Sequence, residues 1–295
     1  MSRGSSGAAM RVHAICLALN EEPFIQVQLR TLYPYCSGIS VITQYDRDWY
    51  GNAVEPDRTL SIVANFPDPE GKIHLILRRF PDEAGARNHE MLALLGRRAG
   101  RVEPHGRSLE DVVSFHSPPD YFLIVDADEI YDVGTFPRIL EHLAAHRPRG
   151  MRMLGFNYIG SWNRRVPRSV VPFVQFGFLR PGVFFRNRRW VSWNESRIQK
   201  ACGLLGLPDI SAKIFGFRTC PAHIGVFHHG CWLGDRARLA AKKRKSSHQG
   251  DDAATLIDRL GDLPVEHVAT EALPPNIRSE VWPEGFIEAG GPVPR

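Results

Sequence analysis

Tyr121-Phe122-Leu123-Ile124-Val125-Asp126-Ala127-Asp128-Glu129 is an apolar run that ends in three carboxylates within four residues. Led in by Pro118-Pro119-Asp120 and rich in aromatic and β-branched residues, it reads as a strand buried on both faces. Such a strand belongs in the middle of a sheet, and its polar end delivers acid to the sheet's edge. Side chains alternate along a strand, so Asp126 and Asp128 are expected on the same side where it ends. Two carboxylates held together repel one another. Hard oxygen donors then make a divalent cation, Mg²⁺ or Mn²⁺, the natural third party. Such a cation can neutralise a diphosphate leaving group. The competing reading is a solvated acidic turn after a core strand, and the rest of the chain has to separate the two.

On either side of this run the chain alternates strands and helices. Arg11 to Leu19 reads as a strand. Asn20-Glu21-Glu22-Pro23 then supplies an N-cap, first-turn acids and an early proline for a helix to about Tyr35. Ile39 to Thr43 and Ile73 to Leu77 are further strands, and a helix is expected from about Glu83 to Leu95. The rhythm predicts an α/β fold: a Rossmann-like, mostly parallel sheet flanked by helices, with ligands at the carboxyl ends of the strands. Asn20, Gln44 to Asp46 and Asp126 to Glu129 all fall at such ends.

The remaining segments divide the chain by texture. Residues 1–9 read as a disordered N-terminus, 10–150 as a nucleotide-binding half, 151–262 as an aromatic-rich acceptor-binding half that completes the site, and 263–295 as an extended tail. The stretch from Gly96 to Pro119 reads as an exposed insertion. Short aromatic strands are expected at Leu154 to Tyr158, Phe173 to Leu179 and Val183 to Phe185, and a basic helix from Asp235 to Ser247.

Composition narrows the class. With 295 residues and 43% hydrophobic content, the chain can bury a large core. No apolar segment approaches a membrane span, and no signal-peptide h-region follows the start, so a cytoplasmic location is expected. The five cysteines, Cys16, Cys36, Cys202, Cys220 and Cys231, form no C-x-x-C pair and read as free thiols. A net charge of +5 suits an anionic small substrate and is too weak to indicate a nucleic-acid binder.

Three short motifs lie at strand ends in a fixed order: Leu19-Asn20-Glu21-Glu22 after the first strand, Ala86-Arg87-Asn88 at a helix start, and Asp126-Ala127-Asp128-Glu129. Together, over residues 11 to 133, they resemble the nucleotide-sugar glycosyltransferases of the GT-A fold, family 2 above all. The run Gly225 to Trp232 with His228, His229 and Cys231, followed by Lys242, Lys243, Lys245 and Ser246-Ser247-His248, is similar to family 17 β-1,4-N-acetylglucosaminyltransferases. The resemblance implies a metal-dependent, inverting transfer of a hexosyl or N-acetylhexosaminyl group from a nucleotide-diphosphate sugar to the hydroxyl of a small-molecule or glycan acceptor. Asp128 would ligate the metal, and Asp126 would contact the donor ribose or a metal-bound water. The second strand departs from family 2: in place of Ser-x-Asp-Gly-Thr the chain reads Gln44-Tyr45-Asp46-Arg47-Asp48.

Further candidates follow from residue chemistry. His228 or His229 can complete a metal site, and register with an expected strand from Ile224 to Phe227 favours His228. Arg87 can clasp a donor or form a salt bridge across the sheet. Asn20, Glu21 and Asp46 would frame the nucleoside. Trp190-Val191-Ser192-Trp193-Asn194-Glu195 resembles the segment in which bacterial core-oligosaccharide transferases present a carboxylate to the acceptor; Glu195 is then the general base, against a surface pair with Arg197. The cluster Lys242-Lys243-Arg244-Lys245 reads as a solvated face or a phosphate binder. Two rivals remain: a nucleotidyltransferase, which would want a Gly-rich basic loop after the first strand, and a non-catalytic RNA or anionic-glycan binder.

Overall fold

The structure, a computed structural model, describes residues 10–49, 51–98, 119–166, 173–179, 202, 204–205, 216–245 and 263–287. Its first part runs β1 (Val12–Leu17), α1 (Glu22–Leu32), β2 (Gly38–Thr43), α2 (Thr59–Ala64), β3 (Ile73–Leu77), α3 (Glu83–Arg98) and β4 (Tyr121–Asp126). β1 pairs in parallel with β2 on one side and β4 on the other, and β3 extends the sheet beyond β2. The register sets Leu17 opposite both Ile42 and Asp126, so these strands finish together at one edge.

Alternation explains why these strands are largely apolar, with the buried His13 and Ser40 bonded to each other and Ser40 to Glu90. Ala14 and Cys16 of β1 and Leu123 and Val125 of β4 share one cluster with Ile25 and Leu29 of α1. Ile15, Leu17, Phe122 and Ile124 face the other way and pack with Ala86, Met91 and Leu94 of α3. Helices therefore cover both faces, as expected, and the strands have no solvent side on which to place polar residues. Truncating Leu123 or Ile124, each fully buried, to Ala would cost about 2–5 kcal/mol.

The chain continues through β5 (Glu129–Tyr131), α4 (Phe136–His146), β6 (Gly150–Met153), β7 (Gly155–Gly160), β8 (Arg164–Arg165), β9 (Phe173–Phe178), β10 (Phe217–Thr219), β11 (Phe227–Leu233), α5 (Arg236–Lys245) and β12 (Glu266–His267). A 3₁₀ turn at Thr270–Ala272 and α6 (Pro275–Arg278) follow. The main sheet has seven strands in the order β10-β6-β9-β4-β1-β2-β3. β9 is antiparallel to both its neighbours, β4 and β6. Its Gly177 faces the Phe122 ring, where a Cβ would lie 2.1 Å from the nearest ring atom, so only glycine fits. A second sheet runs β12-β8-β7-β11-β5, with β11 parallel to β7 and antiparallel to β5.

Several boundaries differ from the sequence reading. The first helix stops at Leu32, with the Tyr33 N–H closing on Leu29. α4 was not expected, although Phe136, Ile139 and Leu143 bury one helical face. The strand expected over Ile224 to Phe227 instead begins at Phe227 and runs on to Leu233. Residues 263–287 do more than lie over the surface. Leu273, Ile277 and Phe286 are buried with Phe24 and Trp162, and α6 adds helical structure. Val183 to Phe185 and most of the Gly96 to Pro119 insertion lie outside the described residues. All five cysteines are free. No described helix is long and apolar enough to cross a membrane.

Candidate functional site

The β1–α1 junction is held by polar contacts as well as by the packing of Ala18 and Leu19. Asn20 has a left-handed backbone, φ 54°, which Asn tolerates better than most residues. Its amide donates to the Glu55 carbonyl at 2.7 Å, and its oxygen accepts from the Asp57 N–H at 3.3 Å. The next two N–H groups, of Glu21 and Glu22, donate to Thr59 Oγ1 and Asp57 Oδ2. These bonds satisfy donors at the start of α1 that have no partner within the helix, and they fix where Glu21 points.

β4 stops at Asp126, Ala127 and Asp128 form a turn, and β5 starts at Glu129. The alternation expected to place both aspartates on one side therefore does not carry through the turn. Glu129 is wholly buried and braces it: its Oε2 accepts from the Asp126 N–H at 3.0 Å and from the Gln175 amide at 3.3 Å. Its carbonyl accepts from Gln28 at 2.8 Å, and the Asp128 carbonyl accepts from the Gly230 N–H at 2.8 Å.

The two aspartates take different partners. Asp126 Oδ1 accepts from Arg87 Nη2 at 2.6 Å, while Arg87 Nη1 lies 3.5 Å from Glu83. Arg87 is fully buried, so the salt bridge across the sheet is the contact the geometry supplies. Asp128 Oδ2 lies 2.5 Å from Lys242 Nζ, whose ammonium also reaches Glu21 Oε1 at 2.9 Å. The side chains of Asp128 and Lys242 are 6% and 20% exposed, so the pair is shielded from solvent on the carboxylate side.

Burial opposes charge on Lys242, but Asp128 and then Glu21 outweigh it and hold the ammonium well above the usual lysine range. Glu21 shares that one ammonium with a second carboxylate. Burial raises its carboxyl group to about 7, with Asp128 adding to the rise and Lys242 and Arg238 working against it. Cys16 and Cys231 are both pushed well up, by burial first and then by the acidic groups, Asp126 foremost for Cys16 and Asp128 for Cys231. Neither thiol is poised as a nucleophile.

The histidines separate by strand register. His228 turns into the second sheet's core, where its Nδ1 meets the Tyr158 hydroxyl at 2.7 Å. Burial first, and Arg165 second, lower its pKa to about 3. His229 faces the acidic turn instead, with Nε2 at 3.6 Å from Asp128 Oδ1 and Nδ1 at 2.8 Å from Asn157 Oδ1. The preference for His228 came from a strand placed too early, and His229 is the one beside Asp128. Asp46 is 47% exposed and pairs with Arg79 beyond β3 at 2.6 Å. Glu195 lies outside the described residues.

Asp126, Asp128, His228 and His229 do not fit a divalent cation as they stand. Asp128 Oδ2 is taken by an ammonium, Asp126 Oδ1 by a guanidinium, and His228 points elsewhere. Among the described residues no group of three or more His, Cys, Asp or Glu side chains is arranged to hold a metal ion. The sequence reading missed Lys242 as a member of the site. Its one local signal is helical spacing, three residues after the buried Leu239 and four after Arg238.

No protein-family model matches the chain, and no curated protein matches it. Among solved structures, S. aureus TarS 1-349 in complex with UDP-GlcNAc aligns with a TM-score of 0.42 at 13% identity, covering 85% of this chain and 70% of that one. Glucosyl-3-phosphoglycerate synthase from Mycobacterium tuberculosis, in complex with Mn²⁺, UDP and phosphoglyceric acid, aligns with a TM-score of 0.42 at 14% identity, covering 91% and 90%. 4-Diphosphocytidyl-2C-methyl-D-erythritol synthase aligns with a TM-score of 0.35 at 12% identity, covering 86% and 99%. The chain spans 42% of the TarS chain in another of these structures.

Proposed function

We propose that the chain is a GT-A-type glycosyltransferase that moves a hexosyl or N-acetylhexosaminyl group from a nucleotide-diphosphate sugar to an acceptor hydroxyl with inversion, with family 2 and family 17 enzymes as its relatives. One observation carries this reading. Three motifs from separate parts of the sequence meet in one network at the carboxyl edge of the parallel strands. Arg87 holds Asp126, and Glu21 is joined to Asp128 through Lys242. That edge is where open α/β sheets bind nucleotides.

In this reading Asn20, Glu21 and Asp46 frame the nucleoside, and Asp126 meets the ribose. Arg87 is a positioning residue that fixes the Asp126 carboxylate. Fixed positive charge near Asp128 stabilises the diphosphate as negative charge builds on the departing oxygen. Glu195 removes the acceptor proton as the hydroxyl attacks the far side of the anomeric carbon. Residues 10–150 then serve the donor and 151–262 the acceptor. The acidic Asn20-Glu21-Glu22 turn, where a nucleotidyltransferase would carry a basic Gly-rich loop, argues against that rival. Lys242 turned inward onto carboxylates leaves the basic helix with less charge for an RNA or anionic glycan.

Calorimetric titration with a panel of nucleoside diphosphates and their sugars tests the reading, with heat of binding expected for one nucleotide. Glu195→Gln should bind that donor normally and lose ~10²–10⁴ in transfer rate. A product with retained anomeric configuration, or full activity in the variant, overturns the assignment of the base.

A further inference from the structure

We propose that the Lys242 ammonium is the resident cation of the acidic motif and stands where a divalent metal would otherwise be required. This deepens the transferase reading and rests on it for the identity of the ligand. The placement is built by the fold. α5 leaves β11 through Gly234, and the Asp235 side chain caps its start by accepting from the Arg238 N–H at 2.8 Å. Arg238 bonds the Leu233 carbonyl and lies over the rings of Phe24 and Phe286 at 5.2 and 5.1 Å, while Leu239 is buried. Lys242 is one turn further along the same face, which is why its ammonium passes inward over Phe24 to the carboxylates.

Charge and stereochemistry agree with this placement. An ammonium carries three N–H donors. Glu21 and Asp128 accept from two of them, and the third has no acceptor among the described residues. A ligand oxygen can take that position, so the lysine bridges acid and anion as a metal would. A divalent ion on Asp128 Oδ2 would sit against a like charge at van der Waals range, so the two cations exclude each other. Removing the ammonium leaves Glu21 Oε1 and Asp128 Oδ2 around the vacated position, next to a Glu21 Oε2 that is buried without a hydrogen-bond partner, with His229 Nε2 3.6 Å from the other Asp128 oxygen. Carboxylate oxygen with one imidazole suits Mn²⁺.

The test compares the wild-type chain with Lys242→Met and Lys242→Arg by Mn²⁺ electron paramagnetic resonance and by nucleoside-diphosphate titration in excess chelator. The wild type and Lys242→Arg should leave added Mn²⁺ free, whereas Lys242→Met should take it up at least tenfold more tightly. The wild type should bind nucleoside diphosphate equally well with chelator or Mn²⁺, and Lys242→Met should bind it only with Mn²⁺. Tight Mn²⁺ uptake by the wild type, a Lys242→Met variant no better than wild type, or wild-type nucleotide binding lost in chelator overturns the proposal. If no nucleotide binds any variant, the transferase reading falls, and the Mn²⁺ signal still decides the role of Lys242. Should Lys242→Met fail to fold, Lys242→Gln serves in its place.

Discussion

Asp126 and Asp128 are two residues apart, yet opposite halves of the chain hold them. Asp126 is 29% exposed and is braced by Arg87 from a helix that packs on the same parallel sheet. Asp128 is 6% exposed and is braced by Lys242 and approached by His229, both from beyond residue 225. The first arm belongs to the parallel part of the main sheet itself. The second exists only because β11 threads between β7 and β5 and carries α5 back over the β1–α1 turn. A short acidic motif therefore marks a strand end, while the charge that completes it is a property of tertiary structure.

The Asp128 arm is the more sensitive one. Asp128→Ala removes the acceptor of the shortest contact at the site and leaves Lys242 with Glu21 alone. Transfer should fall by at least ~10²-fold with an unchanged circular dichroism spectrum, and activity near the wild-type level would reduce this arm to scaffolding. On the other arm, Arg87→Lys keeps the charge but loses the planar fork that spans Asp126 and Glu83. Because Arg87 is buried, a loss of about 1.5–3 kcal/mol is expected in denaturant melts, together with weaker donor binding. The same melting loss with donor affinity intact would make the Asp126 arm purely structural.

The two histidines sharpen the contrast through pH. His228 has a folded pKa of about 3, below its ordinary 6.5, so the folded state binds fewer protons than the unfolded one between these values. Its contribution to stability is present above about pH 6.5 and is lost as pH falls toward 3. His228→Gln should flatten the acid limb of melting temperature against pH, and an unchanged limb would mean that the imidazole is not held neutral. The smallest effect is expected at Asp46. Its pair with Arg79 is exposed, so Asp46→Ala should alter stability by less than ~1 kcal/mol. Any change in nucleotide affinity then reads directly on the nucleoside side of the site.

Much of the first arm is legible in the sequence. Apolar runs fix β1, β2 and β4 because burial on both faces leaves no alternative composition, and β3 was bounded at the residues observed. Two of the motifs that meet at the edge stand out for the same reason, as polar residues where apolar strands stop, while Ala86-Arg87-Asn88 lies in the first turns of α3. The second arm is harder to read. Lys242 sits in a basic run that resembles any solvated helix face, and only its helical spacing from the buried Leu239 and from Arg238 distinguishes the lysine that turns inward. The choice between His228 and His229 was obscured because the expected strand ended at Phe227, whereas β11 begins there and carries both histidines on opposite faces. α4 was not expected although Phe136, Ile139 and Leu143 keep helical spacing.

The bridge from Lys242 to Glu21 and Asp128 also has a history within each molecule's synthesis. Glu21 and Asp128 precede Lys242 by 221 and 114 residues. At a ribosomal pace of about 5–20 residues per second, Asp128 is made roughly 6–23 s before its ammonium. Until Lys242 is made, the chain holds Glu21 and Asp128 without the ammonium that joins them. The network at the carboxyl edge is therefore complete only after β11 and α5 have been added, and a chain cut before residue 236 retains the acidic motif but lacks Lys242.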